Sequence, residues 1–101
     1  MAAMVLEIAE FTIKQGQGDA FAAGVGRSLP LFRAATGFRD LRLVRSIESP
    51  DTFRLLIHWD RLEDHTEGFR NSPAFEQWRA NVGEFFAGPP RVDHSSECVS
   101  A

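Results

Sequence analysis

Phe38 to Asp60 reads FRDLRLVRSIESPDTFRLLIHWD, two strand-like runs, Phe38–Ile47 and Phe53–Asp60, separated by Glu48, Ser49, Pro50 and Asp51. Pro fixes its own φ and Asp bonds back to nearby main chain, so this tetrapeptide predicts a tight connection between antiparallel neighbours. In the second run Phe53, Leu55, Ile57 and Trp59 share one face, and Arg54, Leu56, His58 and Asp60 share the other.

Upstream, Val5–Lys14 (VLEIAEFTIK) reads as a first strand, because alternation with β-branched and aromatic residues gives way to Gly-rich turn chemistry. Asp19 offers an N-cap, and Phe21, Val25, Leu29 and Phe32 recur at helical spacing as far as Gly37. Gly24, Gly26 and Pro30 predict a bend near the middle of that helix. Downstream, Asp60 and Glu63 have capping-box spacing for a helix starting at about Arg61. Ser72 followed by Pro73 restarts it, so this helical region is in two pieces. Phe75, Trp78, Val82, Phe85 and Phe86 form the apolar stripe of the second piece, and Gly88, Pro89 and Pro90 end it before a last strand, Arg91–Val99. The order β-α-β-β-α-β predicts an α+β, ferredoxin-like protomer with a four-stranded antiparallel sheet, both helices on one face and the other face bare.

The chain has 101 residues, 44% hydrophobic and 25% charged, which is enough for one core and predicts a single domain over residues 1–101. Its 11 basic and 14 acidic residues give a net charge of -3, which argues against the basic footprint of a nucleic-acid binder. Cys98 is the one cysteine, so there is no intramolecular disulfide framework and a reducing compartment fits best. The run Met1–Leu6 has no basic segment before Glu7, and no later stretch approaches the length of a membrane span. These features predict a soluble, cytoplasmic protein without membrane partners. Nine Phe and two Trp accompany no Tyr, so aromatic area is plentiful while phenolic acid/base chemistry is absent.

His58, His65 and His94 show no metal-ligand spacing, and no metal is expected. His58 alternates away from Trp59 and should point to the bare sheet face, as an interface histidine. No Ser lies in a nucleophile elbow, and Cys98 has no basic neighbour nearer in sequence than His94. Gly16-Gln17-Gly18 lacks the rest of a phosphate-binding pattern and reads as a turn, so no nucleotide cofactor is expected. The acidic pairs Asp60/Glu63 and Glu63/Asp64 suit a helix N-terminus. Trp59, Phe69, Phe75, Trp78, Phe85 and Phe86 are concentrated in one strand end and one helical region. Ordinary core packing accounts for such stripes. Trp59, at a strand end beside a helix start, is also placed to line a cavity mouth and donate its indole N–H.

The stretch from Ile57 to Trp78 (IHWDRLEDHTEGFRNSPAFEQW) resembles the antibiotic biosynthesis monooxygenase family of small dimeric α/β-barrel proteins. The likeness rests on a strand-ending Trp59, a short helix and Ser72-Pro73-Ala74-Phe75, with Gly16 after the first strand and Gly88-Pro89-Pro90 before the last. It implies a homodimer paired through the bare sheet faces and a hydrophobic pocket between sheet and helices. The family includes cofactor-independent oxygenases of phenols and quinols, heme-degrading oxygenases and isomerases, so fold does not fix activity. The heme-degrading branch implies an Asn on the first strand and a His four residues after the helical Phe, where this chain has Ala9 and Arg79. Another branch places a His three residues before the Ser of Ser-Pro, where this chain has Phe69.

The resemblance therefore implies a cofactor-independent monooxygenase acting on a small aromatic, phenolic or quinol substrate. Trp59 is expected to donate a hydrogen bond to developing charge. His65 is the candidate base, although a surface helical residue is its alternative reading. Phe69, Phe75, Trp78 and Phe85 would bind the ring, and Arg79 would hold an anion. The alternative function is a non-catalytic ligand-binding or stress-associated dimer using the same pocket.

Overall fold

The centre of the sheet is β1 (Val5–Thr12), which pairs antiparallel with β3 (Thr52–Trp59) on one side and β4 (Arg91–Ser96) on the other. β2 (Phe38–Arg45) completes the order β2-β3-β1-β4, all antiparallel. The structure, a computed structural model, describes residues 4–101; residues 1–3, the start of the run read above for a leader, lie outside the described residues. Two helices, α1 (Gly18–Arg33) and α2 (Pro73–Val82), join the strands in the α+β, ferredoxin-like arrangement expected from the sequence.

Alternation along β1 sends Glu7, Ala9, Phe11 and Ile13 to the helix side, where all four are buried. Phe53, Leu55, Ile57 and Trp59 of β3 join them there, with Phe21, Val25 and Phe32 of α1 and Trp78 and Val82 of α2 closing the core. The opposite face carries half-buried Leu6, Ile8 and Leu56 among charged side chains. His58 is on this face, as its alternation predicts, with Nδ1 2.8 Å from Asp40 Oδ1.

Several boundaries differ from the sequence reading for local reasons. Gln17 rather than Asp19 is the N-cap of α1; Asp19 sits in the first turn, where a carboxylate still suits the helix dipole, 3.2 Å from Arg45. Pro30 falls in the last turn of α1, which runs as one element from Gly18 to Arg33. Gly24 allows the helices to meet: a Cβ there would lie 2.9 Å from the Asn81 carbonyl oxygen, while buried Ser28 accepts from Asn81 and donates to the Gly24 carbonyl. The β2–β3 turn takes more residues than expected, because Ser46 Oγ accepts from the Ser49 N–H and leaves Ile47 90% exposed. β4 ends at Ser96, short of the expected Val99.

Asp60 does not form the expected capping box. Its backbone N–H is still bound to the Gly37 carbonyl and its carboxylate pairs with Arg39, while Asp64 accepts from the Arg61 N–H at 3.2 Å. A π-helical segment, Asp64–Phe69, follows, and α2 then restarts at Pro73 as the Ser-Pro signal predicts. Ser72 holds the extended cap conformation but donates its hydroxyl to the Phe69 carbonyl.

Candidate functional site

A cavity of about 350 Å³ lies between the helix side of the sheet and α2. Its apolar wall comes from three sources: Phe11 and Leu55 on the sheet, Phe32 on α1, and Phe69, Phe75 and Trp78 on the segment after β3. These rings fix one another: Phe32 stacks on Phe69 at 4.8 Å between centroids and meets Trp78 edge-on at 5.0 Å. The polar wall is made by Glu7, His65, Arg70 and Arg79.

Glu7 is a carboxylate on the buried face of the central strand, 5% exposed. Its Oε1 accepts the Trp59 indole N–H at 2.9 Å and lies 3.4 Å from His65 Nε2. Burial disfavours the ionised form and pushes its pKa up to about 7, although the Trp59 hydrogen bond and the Arg70 charge oppose the rise. His65 is 4% exposed, so it is not a surface helical residue. Its ring stacks on Trp59 at 5.5 Å, and its Nδ1 is 2.8 Å from His94 Nε2. Burial, with Arg70 and His94 adding to it, pushes the His65 pKa down to about 4. His94 stands opposite Glu7 in the β1–β4 register; burial and then Arg70 lower its pKa, against the pull of Asp93. The pocket thus pairs a carboxyl whose pKa is raised by burial with an imidazole whose pKa is lowered by it.

The π-helical geometry presents the adjacent residues Asp64 and His65 to the interior together. Asp64 packs on Gly37, whose φ of +81 and lack of a side chain are both required: any Cβ would overlap the Asp64 carboxylate. That contact packs the segment against the turn that enters β2.

Of the residues singled out in the sequence, His65, Phe69, Phe75, Trp78 and Arg79 border the cavity. Trp59 and Phe85 do not. Trp59 is 0% exposed, stacked under His65, with its N–H already given to Glu7, so it does not line a cavity mouth or face a ligand directly. Phe85 falls in a short 3-10 turn, and it is Phe86, bridged to Ile13, that reaches the cavity. Glu7, Arg70 and the partnership of His94 with His65 were missed. Glu7 left one signal: it is in phase with Ala9, Phe11 and Ile13. The histidines do not converge as a set, since His58 is on the other face of the sheet; among the described residues no group of three His, Cys, Asp or Glu could hold a metal ion.

The family model for antibiotic biosynthesis monooxygenases matches residues 4–81. Among curated proteins, the uncharacterized protein YczJ of Bacillus subtilis (strain 168) is 34% identical over 91 residues, 90% of this chain and 96% of its own. A solved structure from Bordetella bronchiseptica, assigned to the same family, superposes with a TM-score of 0.94 at 39% identity, covering 96% of this chain and 99% of that one. SnoaB, a cofactor-independent oxygenase from Streptomyces nogalater, shares the fold at a TM-score of 0.83 over 98% of this chain and 97% of its own, with 15% identity. The match over residues 4–81, together with these relatives, shows that the chain belongs to the antibiotic biosynthesis monooxygenase family.

Proposed function

We propose that this protein is a cofactor-independent monooxygenase of a small phenol or quinol, with residues 1–101 working as one domain. The observation that carries the reading is a buried carboxyl, Glu7, at the wall of an aromatic pocket, its pKa raised by burial to about 7. A base with a pKa near the working pH combines a useful deprotonated fraction with real proton affinity. Glu7 takes the phenolic proton, and the phenolate, flat against Phe69, Phe75 and Trp78, gives an electron to dioxygen. The radical pair closes to a carbon-bound peroxide. Loss of the ring proton with O–O cleavage leaves a quinone; one oxygen atom stays in the product and the other departs as water, which takes up the two protons. Arg70 and Arg79 supply positive charge for the phenolate and peroxide. Glu7 takes the place of His65, the base expected from the sequence, and neutral His65 has a supporting role because its low pKa makes it a weak proton acceptor.

The expected result is oxygen uptake by chelator-treated protein on a panel of naphthols, anthrones and quinols, with one dioxygen consumed per quinone formed. Tight binding of such compounds without uptake would overturn the oxygenase reading in favour of a ligand-binding protein.

A second copy of the chain is proposed to cover the open sheet face. Leu6, Ile8, Leu56 and the 42%-exposed Val44 lie there with no helix over them, flanked by the His58–Asp40 and Arg54–Glu10 pairs. Sedimentation at micromolar concentration should give about twice the 11.3 kDa chain mass. A stable monomer would contradict the barrel-like dimer. Among the described residues no helix is long and apolar enough to cross a membrane, and exposed Cys98 suits the reducing cytoplasm in which we place the reaction.

A further inference from the structure

We infer that His94 is a positioning residue: by donating from Nε2 to His65 Nδ1 it holds His65 as the Nε2–H tautomer, whose N–H faces Oε1 of Glu7, the oxygen already bound by Trp59, and leaves Oε2 as the oxygen that takes the substrate proton. The role assigned to Glu7 rests on the oxygenase reading above; the tautomer of His65 does not.

His65 Nδ1 and His94 Nε2 are 2.8 Å apart, so one of them carries a hydrogen and the other a lone pair. If His65 were the donor, its Nε2 would be bare and would face Oε1 of Glu7 at 3.4 Å, lone pair against lone pair whenever the carboxyl is ionised. If His94 is the donor, the hydrogen of His65 is on Nε2, the nitrogen that faces Oε1 of Glu7 at 3.4 Å, and a positive N–H dipole meets the carboxylate. Trp59, which can only donate, gives its N–H to the same oxygen at 2.9 Å. Oε1 is then bound by the indole N–H and faced by the His65 N–H. Oε2 accepts no hydrogen bond from the described side chains and belongs to a residue that borders the cavity. The carboxyl is thereby made one-sided.

The groups facing this cluster come from every element around it. Trp59 projects from β3, His94 with neighbouring Asp93 from β4, and His65 and Arg70 from the segment after β3, while Arg79 of α2 borders the same cavity. Arg70 disfavours a positive charge on either imidazole. It does not disturb the lock, because His94 donates from Nε2 both as that tautomer and as a cation.

The tautomer can be read directly from the ring-nitrogen NMR of 15N-histidine-labelled protein, at about pH 8 with Glu7 ionised and at about pH 5.5 with it protonated. Wild type should show Nε2–H on His65 at both. His94→Phe should keep it at the higher pH, where the Glu7 carboxylate still demands it, and lose it to a mixture at the lower. His94→Gln, whose amide can donate to Nδ1, should restore the wild-type pattern. On an active substrate, His94→Phe should lower kcat about 3- to 10-fold near neutrality, with KM unchanged and the rising limb of the pH profile displaced upward. A purely structural His94 would move neither the tautomer nor the limb. Wild-type His65 found as Nδ1–H, or a His94→Phe spectrum identical to wild type at both pH values, would overturn the inference. Should His94→Phe fail to fold, the wild-type spectra and His94→Gln still decide it. Protein that consumes no oxygen yet shows the locked tautomer would overturn the oxygenase reading while upholding the role of His94.

Discussion

Glu7→Gln should reduce oxygen uptake by at least about 100-fold while making the protein more stable above neutral pH. The first effect follows from removing the base. The second follows from the sign of its pKa shift. Burial raises the carboxyl from its ordinary 4.5 to about 7, so across that window the folded chain retains a proton that the unfolded chain has released. The stability contributed by this group therefore falls as pH rises from about 4.5 to about 7, and above that the full penalty for burying the charge applies. That penalty is on the order of 3 kcal/mol. Gln keeps the shape and still accepts from the Trp59 N–H through its side-chain carbonyl, but it carries no charge. The two proteins should melt together near pH 4, with the variant ahead by roughly 10–20 °C near pH 8. His65 acts in the opposite direction, its stability contribution being lost as pH falls from 6.5 to about 4, but it is present in both proteins and cancels in the comparison. Calorimetry across that range checks the stability difference. A wild type that is more stable than Glu7→Gln at pH 8 would contradict a buried carboxylate held at a cost.

Trp59→Ala should remove about 3–5 kcal/mol, enough to unfold much of the population of a chain this short. The indole is wholly buried, stacked with His65 at 5.5 Å and edge-on to Phe38 at 6.0 Å, and its loss would leave a large cavity under the active wall. Trp59→Phe separates packing from chemistry. It keeps most of the apolar area, at a cost of about 1–2 kcal/mol, but deprives Oε1 of its 2.9 Å donor. Because that hydrogen bond holds the Glu7 pKa down, its loss should move the rising limb of the activity profile to higher pH, lowering turnover at neutrality more than at alkaline pH. Denaturant melts and pH–rate profiles of the two variants check this. Equal turnover loss at every pH would instead indicate that the indole acts on the substrate itself.

How far the sequence alone carries this account depends on the range of the interaction concerned. The β2–β3 hairpin, the two-piece helical region and the side of the sheet on which Trp59 lies were legible, because period-two alternation and Pro, Ser and Asp turn chemistry act over a few residues. Alternation reports a face and not a depth, so it could not show that the segment after β3 folds over Trp59 and seals it. Glu7 was hidden for a related reason. In VLEIAEFTI both faces of β1 carry apolar residues and each carries one glutamate, Glu7 or Glu10, so the pattern does not say which carboxylate goes under the helices. The widened turn at Asp64–Phe69 has no comparable signature. The meeting of His65 with His94, 29 residues apart in sequence, is a product of the β1–β4 register and the tertiary fold.

The claim on which the rest depends is that Glu7 is a buried carboxyl poised at neutrality, and its 13C carboxyl resonance followed from about pH 4 to about pH 9 tests it most directly. Assignment by loss of the signal in Glu7→Gln makes the titration specific to that residue. The account predicts a midpoint near 7. A midpoint at the ordinary carboxylate value of 4.5 would contradict it.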